Sequence, residues 1–248
     1  GRHPGGFTPN FGGTVTDYGI AAGVSSETEG GLLWDVSASI GSSDVQYKIV
    51  NTLNPSFGPE SPDEFRPGDY TQFEKNFNAD FSYPMEMGMY SPLNVGFGFE
   101  YREEQFEVTS VDQFSWDIGP LFDQGFGIGS NGFGGFGPKD AGQWDRGNYA
   151  LYVDLEADVT ERLLLGGAIR FEDFDDFGTT TNGKISARFA FTDSFAARAT
   201  ASTGFRAPTP GQSNISNIST VAGDDGILVQ RGTIPPTNPV AVSKGGKA

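Results

Sequence analysis

The chain reads as all-β: an antiparallel sheet of about eight long strands of the kind that forms a transmembrane β-barrel segment. Three observations carry this. Alternation with period two dominates and helical periodicity is hard to find. Each alternating run extends over about a dozen residues, where soluble strands average five or six and a tilted membrane strand needs 9 to 11. Short and long connections alternate, as they do between the two ends of an outer-membrane barrel.

The elements follow in order. Residues 14–26 carry Tyr18, Ile20, Ala22 and Val24 on one side, and Leu32, Trp34, Val36, Ala38 and Ile40 begin a second strand that continues towards Ile49. Residues 70–83 set Phe73, Phe77, Ala79 and Phe81 against Gln72, Glu74, Asn76, Asn78 and Asp80. Residues 93–102 set Leu93, Val95, Phe97, Phe99 and Tyr101 against Asn94, Gly96, Gly98, Glu100 and Arg102. The clearest run, 148–158, opposes Tyr149, Leu151, Val153, Leu155 and Ala157 to Tyr152, Asp154, Glu156 and Asp158. Runs at 163–172, 184–191 and 195–205 complete the set, the last with Arg198, Thr200, Ser202 and Gly204 on its polar side. Long connections are expected at 50–69, rich in proline, at 109–145, rich in Gly and Phe, and from 208 to 248. A medium connection is expected at 173–180, and tight turns at 160–161 and 192–194.

Composition narrows the function. There are 36 Gly and 22 Phe, no Cys, one His (His3), and a net charge of -16. The absence of Cys excludes a disulfide framework, a thiolate zinc site and a cysteine nucleophile. A lone His in a glycine-rich start argues against a Ser-His-Asp triad or a multi-histidine metal site. The acidity argues against a nucleic-acid partner. No apolar run approaches the roughly 18 residues of a membrane-spanning helix. No enzyme activity and no cofactor are expected.

Residues 202–212, reading STGFRAPTPGQ, closely resemble the strand-to-loop junction in the barrels of TonB-dependent outer-membrane receptors. The same likeness extends to 128–133, to 149–176 and to 231–237. The resemblance implies a barrel of about 22 strands with a plugged lumen, placed in the bacterial outer membrane. It implies uptake of a scarce nutrient of the siderophore, cofactor or oligosaccharide class, energised by the TonB complex through a plug region. The implied partners are that complex, outer-membrane lipid and a small nutrient ligand. A plug domain, a TonB box and a closing C-terminal strand are not recognisable, so the chain reads as the middle of a receptor: residues 1–248 form part of one barrel domain. The alternative is a secreted all-β module with long recognition loops.

Several residues invite sharper readings. Asp173, Asp175 and Asp176 offer hard oxygen ligands for calcium, but they lack EF-hand spacing and read more simply as a solvated strand end. Asp154 and Glu156 share a face about 7 Å apart, which any alternating strand would give. The run 125–137 lacks the following helix of a phosphate-cradling loop and reads as a mobile outer loop. There Phe126, Phe133 and Phe136 are candidate ligand contacts, with packing the favoured role. Arg170 and Arg206, also candidate ligand contacts, join Arg102, Arg188 and Arg198 on polar faces. A ladder with Glu100, Asp154, Glu156 and Glu172 would be structural first. Tyr18, Trp34, Tyr83 and Tyr149 near strand ends suit an interfacial aromatic girdle.

Overall fold

A computed structural model describes residues 4–222 and 228–246; His3 lies outside them. The main body is one antiparallel meander. Its strands are β1 (Asn10–Glu27), β2 (Leu33–Val50), the two-residue β3 (Glu64–Phe65), β4 (Gly68–Met85), β5 (Leu93–Ser110), β6 (Gly142–Thr160), β7 (Leu163–Phe174), β8 (Gly178–Thr192) and β9 (Phe195–Ser202). The long strands pair in chain order from β1 to β9, with β3 on the end of β2, and the sheet does not close on itself. A helical turn, α1 (Pro210–Asn214), follows; a separate hairpin of β10 (Asn217–Ala222) and β11 (Leu228–Thr233) and a second turn, α2 (Pro239–Ser243), complete the described chain.

The strands are longer than the sequence pattern implies, because the pattern reverses half-way along them. In β5, Leu93, Val95, Phe97, Phe99 and Tyr101 lie on one face, which then continues as Glu103, Gln105 and Glu107. Apolar residues reappear on the opposite face as Phe106 and Val108. The β4–β5 register runs unbroken from Gly68↔Ser110 to Met85↔Leu93, so the side-chain code changes while the strand does not. β4 and β6 do the same: Phe77–Met85 and Tyr149–Ala157 supply the apolar half, and Tyr70 and Trp144 sit on the other face of the remaining half.

The first face points outward. Leu151 is 57% exposed, Ile20 67% and Ile185 68%, whereas Glu100 and Glu172 on the other face keep only 16% and 15% of their side chains exposed. The loops pack on that second, inner face. The outward apolar band covers about nine residues per strand, roughly 30 Å along it and near 23 Å once tilted by about 40°, which suits the apolar belt of an outer-membrane barrel. Tyr18, Trp34, Tyr83 and Tyr149 all fall on the outward face by register. Beyond the band the same face carries Asp44, Lys75, Glu103, Gln105 and Asp145, so the loop-side halves of the strands stand in water.

The connections follow the expected alternation with one correction. The turn side has 28–32, 86–92, 161–162 and 193–194; the loop side has 51–67, 111–141 and the chain after β9. The expected medium connection at 173–180 is instead a tight turn at 175–177, because the β7–β8 ladder continues through Asp173↔Thr179 to Phe174↔Gly178. The last strand ends at Ser202 rather than near Arg206. Thr203 still donates to the Gly183 carbonyl at 2.9 Å, after which the chain leaves the sheet, and Pro208 and Pro210 bar its return as a paired strand.

Candidate functional site

The fully buried residues are concentrated above the band, where the two long loops form one packed unit. Phe65, Phe136, Ile49, Val108, Thr52, Asn54, Ser56, Ser61 and Ser115 are all almost inaccessible. Asn54 is the hub. Its Nδ2 donates to the carbonyls of Phe114 (2.8 Å) and Asp117 (3.0 Å), and its Oδ1 accepts from the Ser56 hydroxyl at 2.7 Å. Backbone bonds join the loops again, from Leu121 to the Ser56 carbonyl, Ser56 to Gly127, Asn131 to Leu53 and Phe136 to Pro67. Gly135 lies so close to Ser115 that a Cβ there would fall 1.8 Å from the hydroxyl. Residues 130–136 of the run expected to be mobile are thus packed and hydrogen-bonded into this unit.

Of the phenylalanines proposed to meet a ligand, Phe136 is 1% exposed and stacks on Tyr70 at 4.9 Å. Phe133 stacks on Phe11 at 4.5 Å. These two pack the loop onto aromatic residues of the inner face. Phe126 is 45% exposed and free to touch something outside.

Below the loop unit, the inner wall at the level of the outward band's upper rim carries an ion-pair ladder. Arg170 reaches Glu100 at 3.0 Å and Glu172 at 3.1 Å, and Arg102 reaches Glu100 at 3.0 Å. The register explains the reach. Ala150 separates Glu100 from Glu172 across β5, β6 and β7, and its small side chain lets the guanidinium of Arg170 lie over it. Ala150 is 1% exposed as a result. One row further in, Tyr152 lies over Gly98 and donates from its hydroxyl to Asp80 at 2.6 Å. A Cβ at Gly98 would meet the ring at 2.5 Å. Such glycine–aromatic pairs stiffen a curved sheet where a larger residue would block it.

The ladder is narrower than expected. Asp154 and Glu156 make no ion pair among the described residues, and Arg188 faces Arg198 directly across β8 and β9. Arg206 lies beyond β9, exposed and away from the ladder. Arg146, which falls between the expected loop at 109–145 and the expected strand at 148–158, is the most enclosed cation among the described residues: its side chain is 4% exposed and pairs with Glu104 directly opposite. Its even-numbered phase with Asn148 and Ala150 is the signal that would have placed it on the inner wall.

The three aspartates do not come together as a calcium site. Asp173 belongs to the outward face, Asp175 accepts the Gly147 N–H at 2.9 Å, and Asp176 lies 3.8 Å from Arg146. Among the described residues no group of three potential ligands is placed to hold a metal.

An open meander, lipid-ready outside and polar within, with folded loops at one end, defines a segment of an outer-membrane-type barrel wall. The chain belongs to the TonB dependent receptor-like β-barrel family, whose model matches residues 1–241. No curated protein sequence matches it. Among solved structures it is similar to the RagAB peptide transporter, with 12% identity and a TM-score of 0.56 over 91% of this chain. It is similar also to the RagAB peptide importer in the "closed-closed" state (10%, 0.56, 92% of this chain) and the "open-open" state (11%, 0.55, 92%). The chain covers 26% of the length of each.

Proposed function

We propose that this chain forms part of the wall and outer mouth of a bacterial outer-membrane receptor that takes up a scarce nutrient. The whole receptor captures the solute at its loops and admits it through the lumen, driven by the TonB complex acting through a plug region. Residues 1–248 supply one stretch of a single barrel domain, with outer loops near 50–69, 109–145 and 208–248. The solute is of the siderophore, cofactor or oligosaccharide class, and the likeness to structures described as a peptide transporter adds peptides to that range.

The outward apolar band supports this reading most directly. A secreted binding module would bury such a face, because leaving Leu151, Ile169, Ile185 and Phe171 about half exposed to water forfeits about 1 kcal/mol or more for each. Lipid removes that penalty. Phe126 and the ion-paired Arg170 are the solute contacts retained from the sequence, one on the loop unit and one on the inner wall; Arg206 belongs to the chain leaving the wall. The test is heat-modifiable migration of the full receptor after detergent extraction. A chain that stays monomeric, folded and soluble without detergent would overturn the barrel.

A further inference from the structure

The chain that leaves β9 does not continue outward. It turns back across the loop-side ends of β8 and β7 and lands on the inner face of β6 and β5. Three contacts trace the path. Phe205 packs on Phe177 at 5.0 Å, and Phe177 packs on Phe174 at 4.8 Å. The Pro208 carbonyl accepts a hydrogen bond from Arg146 Nη1. Gly211, in the first turn of α1, comes so close to Phe106 that a Cβ would sit 3.2 Å from the ring. Thr209 and Gln212 cap the turn reciprocally, at 3.2 and 2.9 Å, so α1 arrives as a preformed block.

We propose that residues 203–214 are a strap folded into the mouth over the inner wall, and that Arg146 is the positioning residue that fastens it. Arg146 is suited to this because Nε, Nη1 and Nη2 of its guanidinium all have partners and a ring lies against it. Nε bonds Glu104 at 3.2 Å and Nη2 bonds the same carboxylate. Nη1 holds Pro208, Asp176 lies at 3.8 Å, and the Phe174 ring lies 5.5 Å below. The carboxylate of Glu104 aims the guanidinium by holding Nε and Nη2, and Nη1 is thereby directed at the strap. The tight turn at 175–177 is the matching feature of the wall: a longer connection there would occupy the path that the strap crosses. The strap therefore closes part of the mouth while the Arg146 bond and the seat of Gly211 on Phe106 both hold. Opening requires an enclosed cation to give up a hydrogen bond, so the closed form dominates.

The inference rests on the barrel reading, and its test is separate from that of the barrel. Arg206–Ala207 is a tryptic bond inside the strap, and proteolysis of a native protein follows the population of the locally opened state. In the detergent-solubilised full receptor, Arg146→Met should speed cleavage at Arg206 on the order of tenfold, the ratio that about 1.4 kcal/mol of lost closure gives. Because Arg146→Met strands Glu104, Gly211→Val provides a second route: it wedges α1 off Phe106 without touching the buried pair and should speed the same cleavage. Arg146→Lys, which keeps the charge but cannot bond Glu104 and Pro208 together, should fall between. Heat-modifiable migration reports that the barrel persists in each variant. If the barrel persists and cleavage at Arg206 is as slow in Gly211→Val and Arg146→Met as in the parent, the strap is not fastened this way.

Discussion

Single residues in the loop unit hold more than their polarity suggests. Asn54 satisfies two carbonyls of the facing loop and two Ser56 donors, so replacing it strands several groups at once. Asn54→Asp should be worse than Asn54→Ala, because a carboxylate oxygen would face the carbonyls of Phe114 and Asp117. The expected loss is about 2–4 kcal/mol of local stability, read as faster amide exchange across 51–67 and 111–141 with the strand amides unchanged. Phe136→Ala should open the same region through lost packing, by about 3–5 kcal/mol. Arg170→Ala should cost about 1–3 kcal/mol: its own side chain is a third exposed, but the change takes a partner from Glu100 and Glu172, which are largely enclosed. Neither Asn54 nor Ser115 stands out in the sequence. Their importance comes from contacts between loops some sixty residues apart, which no local pattern encodes.

At the scale of the strand, the alternation made the elements legible and also cut them short. The run at 93–102 is read correctly as a strand, yet β5 continues to Ser110 because Phe106 and Val108 appear on the other face. A change of phase looks, in one dimension, like an ending. The same reversal hid the start of β6 at Gly142 and kept Arg146 out of the candidate residues. The reversal also makes a sharp prediction about substitutions. Leu151→Arg lies within the outward band and should destabilise insertion by about 2–4 kcal/mol, whereas Gln105→Arg lies on the same face above the band and should cost little. Urea titration of the receptor refolded into lipid vesicles measures both.

At the scale of the whole wall segment, the absence of cysteine within these 248 residues lets single introduced cysteines, read against the parent receptor, map depth. Single cysteines at Val153 and Ile169 should resist a membrane-impermeant maleimide on intact cells, and those at Gln105 and Asp145 should react. Reaction at all four with equal rates would place the wall outside the membrane. The architecture at this scale was the part most readable in advance, because lipid demands long strands, alternating faces and loops at one end. The inner surface was less readable. Which arginine finds which carboxylate depends on strand neighbours, and Arg188 opposite Arg198 shows that polarity alone does not supply a partner.

The reversal within β4, β5 and β6 also sets a rule of parity for change in this chain. Deleting one residue near Arg102 would leave the band of β5 intact and turn everything beyond it over. Glu103, Gln105 and Glu107 would then enter the aromatic packing around Phe136, and Phe106 and Val108 would face water. Removing two residues keeps every side on its side and only lowers the rim. Length variation in such walls should therefore accumulate in steps of two within the strands, and freely only in the loops.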